Sequence, residues 1–439
     1  MTDDGSKTRP VRTLTVKNFS VIKEAKLEFG KITVLIGPQA SGKSLLCKLA
    51  YFFEQGVPVR IQDAVRRNIS YGALCMEIQA EFLDKFPECS WTGQNFRISY
   101  ESIEFTISCQ TAPSQHLPTI GFDSNFADSY PKWIEQDKWM RAQAGARVNF
   151  IHMFQPPSIK KMQNDEGRID FDVPMLQNSV YIPTGRSFYS ITNKAFAALS
   201  TKNLDWITQG YALEFDPDYK SLRKSYSTDS PMLSEFGKIA TSILKGQVVD
   251  EEGWLVFEST EDGRRRPFEL LSSGTLELLP VINALSRLAE EFSSPDSTLP
   301  KPPFGTTYIE EPELSVFPST QNSLVRLMAW FAGLNGMNME YCITTHSPYI
   351  LTAFNNLIEA GQAARNNPKL HDEIAKIVPE QYWIKEGDFK AYAIEDGKLK
   401  SILNESGFIE GNYLDQVSET IGNEFDKLLR LEYDHMEAS

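Results

Sequence analysis

One octet, Gly37-Pro38-Gln39-Ala40-Ser41-Gly42-Lys43-Ser44, constrains this chain more than any other stretch. The apolar run 32–36 before it reads as a buried strand. Leu45, Leu46, Leu49, Ala50 and Phe53 after it have the spacing of one helix face. Strand, glycine-rich loop and helix in that order are the context of a P-loop. Its glycines let backbone N–H groups turn toward phosphate oxygens, and the helix N-terminus adds partial positive charge. Lys43 is expected to reach the β- and γ-phosphates and Ser44 to hold Mg²⁺. The expected nucleotide contacts are Gly37, Gln39, Ala40, Ser41, Gly42, Lys43, Ser44 and Leu45.

A second stretch, Thr306-Thr307-Tyr308-Ile309-Glu310-Glu311-Pro312-Glu313, is an apolar strand ending in carboxylates. After a P-loop such a strand supplies a metal-side carboxylate and a base that orients water. Glu310 is assigned to Mg²⁺ and Glu311 to the water, with Glu313 as a weaker candidate or a turn cap. A third, Ser272-Ser273-Gly274-Thr275, opens an apolar helix over 273–291, and as a residue pattern it is a serine N-cap. A fourth, Thr344-Thr345-His346-Ser347-Pro348, ends a strand and starts a helix with an N1-type proline.

The rest of the chain bounds the architecture. Its 439 residues are enough for two or three domains of core, with an ordinary soluble composition, 41% hydrophobic and 23% charged. Five scattered cysteines, a polar N-terminus and no membrane-length apolar run predict a cytoplasmic protein with no membrane association. The net charge of −14 opposes broad binding to a phosphate backbone. Residues 11–36 alternate as a hairpin leading into the P-loop strand. In 71–110 the sets Leu74/Met76/Ile78, Phe96/Ile98/Tyr100 and Ile103/Phe105/Ile107 predict an antiparallel β meander. A helix is expected near 129–144 in an otherwise unpatterned insertion, then a strand at 180–182 and helices around 190–200 and 231–245. Strands are expected at 247–258 and 264–270, and again at 381–385 and 389–395. The end of the chain, 412–433, predicts an acidic helix with the stripe Leu414, Val417, Ile421, Phe425 and Leu428.

Taken together the four stretches resemble the RecF/Rad50/OLD branch of ABC-type ATPases, in its compact AAA-15-like class. The resemblance implies an α/β fold: an ABC-type P-loop ATPase head with a mixed central sheet, an antiparallel β subdomain and an inserted helical region. Its parts are expected at 1–59 (with the P-loop), 60–178 (β subdomain and insertion), 179–378 (helices and the C-terminal ATPase part) and 379–439 (two strands and the acidic helix). It makes Ser272, Ser273 and Gly274 a signature loop that meets the γ-phosphate held by another subunit, and His346 the γ-phosphate switch histidine. Glu310 stands where the wider group has Asp, and Ser273 where it has Gly. The branch also uses a γ-phosphate-sensing Gln, for which Gln55, Gln62, Gln155 and Gln177 are candidates.

Length and layout are similar to the ATPase components of PARIS-type, and more loosely Septu-type, anti-phage systems. That likeness implies a slow ATPase with ATP and Mg²⁺ as cofactors, acting as a homodimer or larger assembly of dimers. It would control a separate nuclease effector in response to a phage protein. The alternative is a RecF/Rad50-like DNA-binding ATPase in repair or recombination. Arg264-Arg265-Arg266 is the stretch that would touch DNA or an acidic partner, or else protect a strand edge. Arg186 would either reach the site or form a structural salt bridge.

Overall fold

The computed structural model describes residues 12–111, 117–144, 179–192, 205–293, 305–334 and 339–411. Thr13–Phe19 (β1) and Ile22–Glu28 (β2) form the expected hairpin, closed by the pair Phe19↔Ile22. Ile32–Ile36 (β3) then runs into the glycine-rich loop and Lys43–Tyr51 (α1). The helix continues through a π-turn, Phe52–Gly56, into Val57–Arg67 (α2), and Pro58, which has no N–H to give the preceding turn, lies just after that π-turn. The boundary expected at residue 59 therefore falls inside a helix.

Tyr71–Lys85 is a helix (α3), which corrects the first part of the expected meander. Leu74, Ile78 and Phe82 are buried at i, i+4 and i+8, while Met76 is exposed. Leu74, Ile78 and Phe82, four apart, fit both periods, and Met76, two residues from Leu74, is the position that separates them. The remainder is β: Arg97–Glu101 (β4), Thr106–Gln110 (β5) and Thr119–Phe122 (β6), joined to β1 through β4. Ser124–Ala144 (α4) contains the helix expected near 129–144. Val180–Ile182 (β7) follows, then helices Ser187–Thr192 (α5), Trp206–Glu214 (α6), Lys220–Ser225 (α7) and Pro231–Leu244 (α8).

The segment 247–258 is two strands, Gly246–Glu251 (β8) and Trp254–Ser259 (β9). Glu252 and Gly253 between them both have positive φ, the two-residue turn that suits a twisted hairpin. Of 264–270 only Arg265–Arg266 (β10) is strand; Phe268–Leu270 is a 3₁₀ turn. The nucleotide-site stretches follow the expected pattern: Ser273–Ser293 (α9), Thr306–Glu310 (β11), Pro318–Gly333 (α10), Glu340–Thr345 (β12) and Pro348–Asn366 (α11). After His371–Ile377 (α12), residues 381–385 are not a strand. Pro379 opens a 3₁₀ turn there, and Trp383 Nε1 donates to Val378 O. Phe389–Glu395 (β13) pairs with Lys398–Ser401 (β14). The acidic helix expected at 412–433, Gln155, Gln177 and residues 193–200 of the helix near 190–200 lie outside the described residues.

Among the described residues, eleven strands form one mixed sheet, ordered β6-β5-β4-β1-β2-β14-β13-β3-β12-β11-β7, and β10-β9-β8 form a small antiparallel sheet. The strands β13, β3, β12, β11 and β7 are parallel, so their carboxyl ends share one edge. Successive residues of a strand point to opposite faces. Val34, Ile309 and Ile343 thus meet α8–α11, while Leu35, Tyr308 and Cys342 meet α1–α3. Cover on both faces is why these strands read as continuous apolar runs.

Candidate functional site

The carboxyl ends of β3, β11 and β12 lie side by side, with Ile36 opposite Thr345 and Glu310 opposite Thr344. The residues that follow these ends are Gly37, Glu311 and His346, so strand register brings three separate stretches together. Lys43, buried at the start of α1, folds back over its loop. Its Nζ donates to Gly37 O at 2.8 Å and Pro38 O at 2.9 Å, and lies 3.1 Å from His346 Nε2. His346 Nε2 is also 3.5 Å from Glu311 Oε1. A lysine ammonium has no lone pair to offer, so in its contact with a charged Lys43 the Nε2 atom is the acceptor. Burial pulls the Lys43 pKa down, opposed in part by Glu311 and Glu313.

The loop itself suits an anion. Gly42 has φ +104°, and a Cβ there would sit 2.4 Å from Ile22 Cδ1. Pro38, Gln39 and Ala40 are exposed, and Ala40 adopts positive φ. The start of α1 has no side-chain cap and no acidic residue in its first turn, which leaves its leading N–H groups for an anion. Ser41 Oγ is buried without a partner. Ser44 and Leu45 lie half-buried in that same turn. These features fit a nucleotide phosphate with its divalent ion.

Glu310 and Glu311 are held differently. Glu310 is buried, and its carboxylate accepts from Tyr181 OH at 2.7 Å and from Thr184 N at 3.1 Å. Burial and Glu310 keep the Tyr181 phenol far above its usual pKa, so it stays a donor. Glu311 is half-exposed with φ +43°, unusual for a residue with a Cβ, and its N–H donates to Thr344 O. Glu313 does more than cap a turn. Its Oε1 accepts from Thr345 Oγ1 at 2.8 Å and from His346 N at 2.6 Å, fixing the loop that presents His346. Sequence patterns did not point to Tyr181 or Thr184, which reach Glu310 from β7 and the turn after it, 129 and 126 residues earlier.

Arg186 is fully buried and structural: its guanidinium donates to the carbonyls of Glu310 and Glu311 rather than facing the loop. The stretch Ser272–Gly274 is not joined to Lys43. Ser272 Oγ accepts from Thr275 N, a cap on α9, and Gly274 packs so close to Ser315 O that a Cβ would stand at 2.6 Å. Ser272 and Ser273 face solvent, as do the large side chains Leu270, Phe317 and Tyr349 beside these loops. Of the glutamines considered, Gln55 accepts from Ser179 N, and Gln62 is buried in α2.

Arg264, Arg265 and Arg266 each have a carboxylate partner: Asp262 for the first and last, Glu251 and Glu258 for Arg265. Arg67 is paired with Asp63 and Glu77. Among the described residues no helix is long and apolar enough to cross a membrane.

Residues 11–351 match the family described as AAA ATPase domain. A search of the curated proteins found no match. Among solved structures, the chain is similar to the SMC head domain from Thermotoga maritima, with 12% identity and a TM-score of 0.36 over 91% of this chain and 100% of that one. It is also similar to an Smc head bound to the C-winged helix domain of ScpA, with 10% identity and a TM-score of 0.41 over 89% and 96%. An Smc head with an extended coiled coil, bound to the C-terminal domain of ScpA derived from Pyrococcus furiosus, gives 10% and 0.37 over 89% and 95%.

Proposed function

This chain belongs to the AAA ATPase domain family, and from that premise we propose that it binds ATP with Mg²⁺ and hydrolyses it slowly. The observation that carries the reading is the convergence of Lys43, Glu311 and His346 at the ends of three adjacent parallel strands. Lys43 leaves the Gly37 and Pro38 carbonyls to meet the β- and γ-phosphates. The N–H groups of 40–45 cradle the phosphate oxygens. Ser44 and the free lone pairs of Glu310 would hold Mg²⁺, which supplies charge neutralisation for the leaving phosphate. Glu311 orients the attacking water, and His346, released from Lys43, faces the γ-phosphate.

The second half of the site comes from another copy. Ser272 and Ser273 are exposed and make no contact with their own Lys43, and the neighbouring Leu270, Phe317 and Tyr349 supply apolar area for a two-fold contact. The assembly is a homodimer or a larger set of dimers. In the cell we place it as a sensor and scaffold switch of anti-phage defence, holding a separate nuclease effector until a phage protein releases it. Likeness of length and layout supports that role. Against the DNA-repair alternative stands the neutralised Arg264–Arg266 patch.

The shared site has a direct test. Lys43→Ala and Ser272→Arg are each expected to be inactive as homodimers. Mixed, they should recover part of the ATPase activity, because one of the two sites in a heterodimer keeps both wild-type halves. No recovery in heterodimers shown to form would reject the arrangement.

A further inference from the structure

Arg186 ends the turn after β7 and is completely buried. One planar guanidinium ties three elements. Nη1 donates to Pro183 O at 3.2 Å and to Glu310 O at 2.6 Å, and Nη2 donates to Glu311 O at 2.8 Å. Nε donates to Glu277 O at 3.1 Å and lies 3.4 Å from Glu277 Oε2. Glu277 stands at the fifth residue of α9, two residues beyond the Ser272–Thr275 cap.

A proline makes that first turn of α9 separable from the rest of the helix. Pro280 lies inside α9 and has no N–H for the carbonyl of Leu276. Ser190 Oγ of α5 donates to that carbonyl instead, at 3.1 Å. The carbonyls of Leu276 and Glu277, four and three residues before the proline, are each met from outside the helix, the first by Ser190 and the second by Arg186. A missing helical bond is a usual place for a helix to bend. The turn carrying Ser272–Gly274 can thus tilt on Pro280 while staying attached to the end of β11 through Arg186.

We propose that Arg186 is a positioning residue that couples the first turn of α9 to the Glu310–Glu311 end of β11. A group that engages Ser272–Gly274 thereby sets Glu311 against His346 in the same chain. The coupling rests on the shared-site reading above. Its mechanical basis is the rigid fork of the guanidinium, whose donors sit at fixed angles and leave no slack between the two carbonyls and α9. A lysine keeps the charge but has one flexible point of donation, so it satisfies some of these carbonyls without linking them.

The test uses the full chain, the β,γ-imido analogue of ATP and hydrogen exchange. In a heterodimer of Lys43→Ala and Ser272→Arg chains, the Lys43→Ala chain meets nucleotide only through Ser272–Gly274, and there the analogue should change exchange in two segments, 272–278 and 309–314. With Arg186→Lys added to that chain only the first should respond. In Arg186→Lys alone, analogue affinity should stay within about two-fold, while kcat falls about ten-fold or more, the mark of a misplaced group rather than a lost binding contact. Pro280→Ala, which restores the missing helical bond, should also lower kcat with affinity kept, and it carries the test if Arg186→Lys does not fold. Joint response of both segments in Arg186→Lys, or an unchanged kcat in either variant, overturns the coupling. A wild type that hydrolyses ATP with no heterodimer recovery rejects the shared site. A wild type that neither binds the analogue nor turns over ATP rejects the site and the coupling together.

Discussion

Glu54→Ala should be the most destabilising single truncation at the amino ends of the parallel strands. Glu54 sits in the π-turn between α1 and α2 with its carboxylate buried. It pairs with Arg12 at 2.6 Å and accepts from Tyr308 OH at 2.6 Å, Ser179 Oγ at 2.9 Å and Thr306 N at 2.9 Å. Removing one partner of a buried pair costs about 3–5 kcal/mol, and each orphaned donor adds about 1–3 kcal/mol. Arg12 keeps Glu340 and Thr306 Oγ1, and the hydroxyls can rotate, so the terms do not add in full. A net loss of about 4–5 kcal/mol is expected, a large share of a stability of about 5–15 kcal/mol.

The assay is urea unfolding followed by circular dichroism, with the slope checked for constancy. Glu54→Gln, which keeps the shape and one acceptor, should lose less. The effect also has a pH signature. Burial alone would raise the Glu54 pKa, but Arg12 and the bonds from Tyr308 and Thr306 outweigh it and leave the carboxyl below its ordinary 4.5. Its contribution is therefore complete above about pH 4.5 and fades as pH falls through the lowered native value. The alanine variant should lack that part of the acid sensitivity. Nucleotide affinity measured well below the melting point should stay near wild type, since Glu54 lies at the opposite end of the strands from Lys43. A loss under about 1 kcal/mol, or identical acid profiles, would refute the view that this pair is stabilised by its surroundings.

Three further outcomes are expected. Glu311→Gln should bind ATP but release phosphate at a small fraction of the wild-type rate, and unchanged turnover would remove the water-orienting assignment. Gly42→Ala places a methyl against Ile22 at positive φ, so it should cost about 1–3 kcal/mol of strain and weaken nucleotide binding, as read by calorimetric titration; normal affinity would mean the loop does not touch phosphate. Duplex DNA at physiological salt should bind no tighter than micromolar, the range of non-specific binding. Nanomolar affinity would favour the repair alternative.

Much of the fold was legible where every local cue agreed. Pro348 marks a helix start, Ile32–Ile36 and Thr306–Glu310 are apolar runs of strand length, and all three lie where expected. Leu74 and Ile78 misled because a spacing of four fits both periods, and an apolar Met76 between them, exposed in the helix, completed a false alternation. Residues 381–385 misled because apolar alternation does not say whether a strand neighbour exists; this segment runs along α11, with Ile384 N donating to Leu357 O. In the site, the residues that bear chemistry could be named because their motifs are local. Of those that hold them, Arg186 stood as a candidate with two readings, while Tyr181 and Thr184 were not marked. All three matter because β7 lies beside β11, a register no nearby residue announces.

The large sheet is stitched together unevenly. Between β2 and β14 the ladder is one pair, Lys398↔Glu24, whereas β3 meets β12 and β13 over five pairs each. Gly397 O takes up the N–H groups of both Lys23 and Glu24, and a Cβ at Gly397 would stand 2.6 Å from Val21 O. A residue without a side chain is thus the clasp between an antiparallel leaf and a parallel leaf. The same turn of the antiparallel leaf lays Val21 and Ile22 against Gly42. The clasp and the nucleotide loop thus bear on one turn from its two sides, so a displacement of that turn is felt at the reactive edge.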